Sequence, residues 1–160
     1  MGKILLFDWG NTIMVDFNLP GPMYLWESVA WVPGAEECLR MLSSYTCCIA
    51  TNAGKSDSET VRKGLARVGA DLYFSHIFSS IDIGFEKPDP RFFGFILQTL
   101  QAEPGNCIMI GDNYKKDIAG AKAMGIKTVF FNHTFGRGSF PDADATIYGM
   151  NELTSIISRL

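Results

Sequence analysis

No apolar run in this 160-residue chain approaches the ~18 residues that a membrane-spanning helix needs. The first apolar stretch, Ile4 to Phe7, is too short for the core of a secretion signal. A cytoplasmic protein is therefore expected. Cysteine is scarce: Cys38, Cys47, Cys48 and Cys107 form no C-x-x-C pair, and three of them lie within apolar strand or helix patterns. Reduced, buried thiols are expected, not a disulfide framework or a zinc site. The two histidines, His76 and His133, have no partner at metal-binding spacing and read as structural or surface residues. Charge is also low, at 19% with a net charge of −3. That balance excludes a global attraction to nucleic acid or anionic membrane. With 47% apolar residues it also argues against disorder. Lys115, Lys116 and Lys122 read as a solvated helix face. There is no G-x-G-x-x-G loop, and Gly54-Lys55-Ser56 fails as the end of a P-loop because Ile49 stands where glycine is required. No repeat or low-complexity segment is present.

What remains is a regular alternation of strand and helix patterns. Short apolar runs at 4–7, 47–50, 107–110 and 126–131 suit strands buried on both faces, with weaker strands at 76–80 and 145–147. Between them lie amphipathic helices. Pro33-Gly34 opens one carrying Ala35, Cys38, Leu39 and Leu42 on a single stripe. Ser56 to Glu59 reads as a capping box before a helix with Val61, Leu65 and Val68 that stops at Gly69. Asp89-Pro90 reads as an N-cap followed by proline at the first helical position. Its helix should bury Phe93, Ile96, Leu97 and Leu100. Further helices should carry Ile118 and Ala121, and then Leu153, Ile156, Ile157 and Leu160. Repeated β-α units predict one domain over residues 1–160: a doubly wound, Rossmann-like parallel sheet in three α/β/α layers.

In such sheets the site lies at the carboxyl ends of the strands. The polar residues there are Asp8, Thr51-Asn52 and Asp112-Asn113. Two carboxylates at neighbouring strand ends repel unless a cation lies between them or one holds a proton. An all-oxygen donor set suits Mg²⁺. Asp117, five residues past Asp112, can face the same pocket, and Lys87 just before a helix start can add positive charge. Taken singly, an Asp after a strand is often a helix cap and a Lys before proline often plain surface. Taken together, they form the set that phosphoryl transfer through an aspartyl-phosphate requires.

These residues resemble the motifs of the haloacid dehalogenase-like hydrolase superfamily. Phe7-Asp8-Trp9-Gly10-Asn11-Thr12-Ile13 is similar to its first motif and Ala50-Thr51-Asn52 to its second. Glu86-Lys87-Pro88-Asp89-Pro90 is similar to its third, and the run from Ile110-Gly111-Asp112-Asn113 through Asp117 to Ala121 to its fourth. The resemblance implies Asp8 as nucleophile and Mg²⁺ ligand, Thr51 as phosphoryl-binding hydroxyl and Lys87 as charge stabiliser. It implies Asp112 and the Gly10 carbonyl as metal ligands, and Asp117 as ligand or support. Asn52 and Asn113 are candidate substrate contacts.

One departure matters. Most phosphatases of this family carry a second Asp two residues after the nucleophile as general acid and base, and here that position is Gly10. General acid–base help is typically worth ~10²–10⁴-fold, so alkyl phosphate esters should react slowly. Anhydrides, acyl phosphates and aryl phosphates should suffer less. A catalytically impaired phosphate- or Mg²⁺-binding interaction module is the alternative. Phosphonatase chemistry, which in the family needs a lysine from a cap domain, is disfavoured: residues 16–31 hold no Lys or Arg. The spacings of 43 residues from Asp8 to Thr51 and 36 from Thr51 to Lys87 leave no room for a cap. Metal-free dehalogenation is disfavoured by the presence of both Asp112 and Asp117. Gly136-Arg137-Gly138, in the polar loop 132–144, is either a substrate loop or a plain connection.

Residues 17–32 are unusually apolar for a connection, with one charge, Glu27. Their aromatic side chains either fold onto their own domain as a lid or build an interface. A homodimer through Tyr24, Trp26 and Trp31 is the expectation carried forward.

Overall fold

The computed structural model describes residues 2–160; Met1 lies outside the described residues. Six strands form one parallel sheet: β1 (Ile4–Phe7), β2 (Thr46–Thr51), β3 (His76–Ser79), β4 (Cys107–Gly111), β5 (Lys127–Phe131) and β6 (Ala145–Ile147). Their spatial order is β3-β2-β1-β4-β5-β6. The chain runs outward from β1 to β3 and returns to place β4 against the other side of β1. The order therefore reverses between β1 and β4, the switch point where open sheets of this kind bind ligands.

The strands read as unbroken apolar runs because both faces are covered. Successive side chains point to opposite faces, and β1 shows it. Leu5 and Phe7 pack with Ala35, Cys38 and Leu39 of α1 (Ala35–Met41), Val61 and Leu65 of α2 (Ser58–Ala66), and Leu153 and Ile157 near the carboxyl end. Ile4 and Leu6 pack against Phe92, Phe93 and Ile96 on the other side. A four-residue turn, α3 (Ser80–Ile83), follows β3. The three phenylalanine and isoleucine side chains belong to α4 (Pro90–Leu100), which Asp89 caps by accepting from the Arg91 N–H, with Pro90 at the first position. After β4 a wide π-type turn, Tyr114–Ala119, leads into α5 (Gly120–Ala123). The last helix is α6 (Leu153–Ile157). All four cysteines are free and buried. Burial pushes the Cys38 and Cys47 thiols up to about 12 and Cys107 to about 11, which keeps them unreactive.

Three expectations shift. The capping box does not form at Ser56: Asp57 is the cap, accepting from the Thr60 N–H at 2.8 Å. That places Glu59 one position too early to reach back, and it pairs instead with Lys63. Ser56 is buried, its carbonyl taken by the Ser79 hydroxyl. β2 and β4 each run one residue past the apolar stretch, so Thr51 and Gly111 are terminal strand residues. In α4 Leu97 and Leu100 are only partly buried, and Phe92 takes the inner position.

Residues 17–32 fold onto their own domain. Trp26 is buried, its indole N–H donating to the Gly21 carbonyl at 3.0 Å. The Arg67 guanidinium ties the segment to α2 through the carbonyls of Tyr24 and Trp26, at 2.9 and 2.8 Å. Trp26 is therefore not available as an interface residue, and Trp31 packs edge-on to Tyr73. The apolar side chains of this stretch that do face solvent are Phe17, Leu19 and Leu25. No further domain is inserted between β1 and α4 among the described residues.

Candidate functional site

Asp8 continues the β1–β4 ladder by one step, its N–H donating to the Ile110 carbonyl at 2.9 Å. This fixes its carboxylate at the switch point. Thr51 stands at the end of β2 next to it, and Asp112 follows β4 directly. The remaining members arrive by longer routes. Asn52 receives the 86–89 loop: its Nδ2 donates to the Lys87 carbonyl and its Oδ1 accepts from the Lys87 N–H, both at 2.8 Å. That pair of hydrogen bonds holds the Lys87 backbone with its side chain aimed inward. Its Nζ donates to Asp8 Oδ1 at 2.9 Å, Asp117 Oδ1 at 2.7 Å and the Ala50 carbonyl at 2.7 Å. All three ammonium protons have partners.

Asp117 comes in from the π-type turn, whose extra residue per turn widens the helix where it passes the sheet. Two glycines make the approach possible. A Cβ on Gly111 would lie 2.2 Å from Asp117 Oδ2, and one on Gly120 would lie 2.8 Å from the Cβ of Pro88. Larger residues at either position would push Asp117 or the Lys87 loop away. Asp117 Oδ2 also accepts from the Asn113 N–H at 2.9 Å, so both of its oxygens are engaged.

The electrostatics follow from this crowding. One carboxylate oxygen from each of Asp8, Asp112 and Asp117 lies within 4.8 Å of the others. Burial raises the Asp117 carboxyl to about 7, with Asp8 adding to the rise and Lys87 opposing it. Burial and Asp8 likewise raise Asp112 to about 6, against a contribution from His133. Burial alone would lower Lys87, but Asp117 and Asp8 outweigh it and hold the ammonium charged. Three carboxylates face one lysine, and the donors are hard oxygens with no thiolate. This set fits a hard divalent cation. Asp8, Asp112 and the Gly10 carbonyl are the groups that would hold it.

The cleft at these residues has a volume of about 410 Å³ and is bordered by Asp8, Thr51 and Lys87 and by Pro22, Met23 and Trp26. The apolar 17–32 segment thus serves as cover for its own site. Asn113 lines the cleft but its Oδ1 caps the following turn, accepting from the Lys116 N–H at 2.9 Å. Asn52 and Asn113 both line the cleft and also shape the site, Asn52 by holding the Lys87 backbone and Asn113 by capping the turn. The loop 132–138 is closed on itself by Asn132, whose side chain bonds both the N–H and the carbonyl of Gly136.

Sequence reasoning missed His133. Its Nε2 lies 3.3 Å from Asp112 Oδ2, brought there by the end of β5. No local spacing signals it, because residues 112 and 133 meet only through the β4–β5 pairing. Thr12, fully buried, likewise directs its hydroxyl to Asp112 Oδ1 at 3.5 Å.

If the carboxylates repel, a bound cation must stabilise the fold. Millimolar Mg²⁺ is expected to raise the melting temperature, by about 3–6 °C once the ion is tenfold above its Kd. The pH dependence has a definite sign. Asp112 and Asp117 titrate above their unfolded values, so the folded protein holds extra protons and loses stability as pH rises toward 7. Protons and cation compete for the same oxygens. The Mg²⁺ shift should therefore be larger at pH 8 than at pH 5, as differential scanning calorimetry will read. An unchanged melting temperature at pH 8, unaffected by Asp112→Ala, would exclude the site.

A family model for the haloacid dehalogenase-like hydrolases matches residues 10–125. The chain is 30% identical over 141 residues to ribulose-1,5-bisphosphate 5-phosphatase of Halopiger xanaduensis, a match covering 82% of this chain and 59% of that protein. It is 34% identical over 138 residues to glyceraldehyde 3-phosphate phosphatase of Pyrococcus furiosus, covering 80% and 55%. The chain thus spans a little over half the length of these curated relatives. Among solved structures, the HAD-hydrolase YfnB of Bacillus subtilis, crystallised with magnesium, superposes with a TM-score of 0.81 at 21% identity, covering 98% of each chain. The fold is therefore shared well beyond detectable sequence identity. The motif residues converge at the switch point of that fold and the family model spans most of the chain; this protein belongs to the haloacid dehalogenase-like hydrolases.

Proposed function

We propose that the protein is a Mg²⁺-dependent phosphohydrolase that works through an aspartyl-phosphate on Asp8. The observation that carries this reading is the buried Lys87 ammonium, held between Asp8 and Asp117 at 2.9 and 2.7 Å beside Asp112. Lys87 engages one oxygen of Asp8, which borders the cleft, and the second oxygen is the one we assign to attack phosphorus. The bond to the leaving oxygen breaks, and water then releases phosphate and restores the carboxylate. Thr51 borders the cleft beside Asp8, in place to donate to a phosphoryl oxygen. Mg²⁺, when bound, draws charge from the phosphoryl oxygens. The phosphatase activities named for the Halopiger and Pyrococcus relatives support the reaction class.

The assay is release of inorganic phosphate from an aryl phosphate in the presence of Mg²⁺. Turnover that disappears with EDTA supports the reading. Mg²⁺ binding without turnover on aryl, acyl or alkyl phosphates would favour the interaction-module alternative, which the glycine at residue 10 keeps in play.

Self-association is a second proposal. With Trp26 buried, a homodimer over the lid would use Phe17, Leu19 and Leu25. Sedimentation at micromolar concentration is expected to show a dimer that Leu25→Glu dissociates. A monomer at every concentration overturns it.

A further inference from the structure

We infer that Asp16 supplies the general acid and base that residue 10 lacks; the inference rests on the phosphohydrolase reading above. A Cβ built on Gly10 would lie 3.5 Å from the Asp16 Cβ and 3.7 Å from its Oδ2. The Asp16 carboxylate therefore stands beside the space that a side chain at residue 10 would occupy. Both residues border the same cleft as Asp8.

The local backbone explains how a residue six positions on returns there. The Trp9 carbonyl accepts from the N–H groups of Thr12, Ile13 and Met14, which winds the chain tightly after Asp8. Asn11 turns it back in the left-handed region, at φ 58°. Gly10 then pairs with Met14 as an isolated bridge. Two residues later the chain passes Gly10 again. Asp16 is held at both ends: its N–H donates to Asn11 Oδ1 at 2.9 Å, and its Oδ1 accepts from the Asn18 N–H at 2.8 Å. Oδ2 is the oxygen turned toward Gly10.

Glycine at residue 10 and aspartate at 16 thus read as one arrangement. A carboxylate at residue 10 would crowd and repel Asp16. The chain keeps one carboxylate at this point of the cleft and delivers it from the covering segment. In the first step the Asp8 oxygen bonds to phosphorus, the bond from phosphorus to the leaving oxygen breaks, and the Asp16 carboxyl gives that oxygen its proton. In the second, the Asp16 carboxylate takes a proton from water. The water oxygen bonds to phosphorus, and the bond to Asp8 breaks.

The test compares the native protein with Asp8→Asn, Asp16→Asn and the double variant Asp16→Asn/Gly10→Asp, on an aryl and an alkyl phosphate with Mg²⁺. The native protein is expected to cleave both. Asp16→Asn keeps the acceptor for Asn18, so the loop persists. Its alkyl turnover is expected to fall about 10²–10⁴-fold. On the aryl ester it should still release a first burst of one phenolate per site, because that leaving group needs no proton, and then stall as phosphoenzyme. Gly10→Asp in the same protein returns a carboxylate to that point and should restore alkyl turnover. A merely structural role for Asp16 would not be rescued in this way. A native protein that cleaves only the aryl ester, an unchanged alkyl turnover in Asp16→Asn, or a folded double variant with no recovery would each overturn the inference. Aryl turnover surviving in Asp8→Asn would overturn Asp8 as the nucleophile, and a native protein that cleaves neither ester would overturn the phosphohydrolase reading itself.

Discussion

Asp8→Asn is expected to abolish phosphate release from an aryl phosphate, by at least about 10⁴-fold in kcat, without loss of fold. The amide keeps the size of the carboxylate and still offers Oδ1 to the Lys87 ammonium, which lies 2.9 Å away. It cannot act as a nucleophile at phosphorus. It also removes one of three carboxylates whose oxygens crowd within 4.8 Å, so repulsion falls. The melting temperature without Mg²⁺ should be unchanged or higher. Its dependence on Mg²⁺ should weaken, since one ligand has lost its charge. The native protein mixed with substrate and quenched in acid should show a phosphorylated species by intact mass, and the variant should show none. Full turnover in the variant would place the nucleophile elsewhere.

Lys87→Met should cost both stability and activity. The lysine is 2% exposed and all three of its N–H donors are engaged inside the protein. Methionine fills the space but leaves Asp117, 1% exposed, without its cation. Breaking a buried pair from one side typically costs 3–5 kcal/mol, because an uncompensated charge remains. For a chain of this size that is a fall of about 10 °C in melting temperature at pH 7. The sign with pH follows from both partners. The neighbouring carboxylates hold Lys87 above its ordinary value, so its contribution is fully present through neutral pH and is lost only as the medium becomes strongly alkaline. In the variant Asp117 can avoid an unpaired charge only by keeping a proton. Its carboxyl, already at about 7, rises further, and the deficit should shrink toward pH 5. Lys63→Met is the control. Its partner Glu59 sits 3.4 Å away on the open surface of α2, and the change should be under about 1 kcal/mol. Equal effects at the two lysines would mean that the pair around Lys87 is not a buried network.

How far each residue was legible depends on how local its cause is. β1 and β6 stand where their apolar runs end, and Asp89-Pro90 caps α4 as read, because burial and capping act within a few residues. Asp8, Thr51, Lys87, Asp112 and Asp117 were found from strand ends and motif spacing, and the sheet brings all five to one cleft. The cap of α2 was misplaced by one residue, since Ser56 and Asp57 are both good caps and only the Ser79 hydroxyl, arriving from β3, takes Ser56 out of the competition.

Other features had no local signal at all. The backbone contacts of Asn52 and Asn113 are set by which groups lie within reach after folding, and there the two amides orient Lys87 and cap a turn. The lid was readable as an apolar segment in need of a partner, and what ties it to its own domain is the reach of Arg67 to its carbonyls. His133 meets Asp112, and Asp16 meets Gly10, because the β4–β5 pairing and a tight turn bring together atoms whose spacing in the chain carries no period. The sequence by itself determined the layers, the sheet class and the chemical identity of the site, since these follow from apolar runs and from residues at strand ends. The tertiary structure alone decided which carboxylates share the lysine, which amides face inward and which acid stands beside the glycine, because those depend on distances between segments that only packing sets.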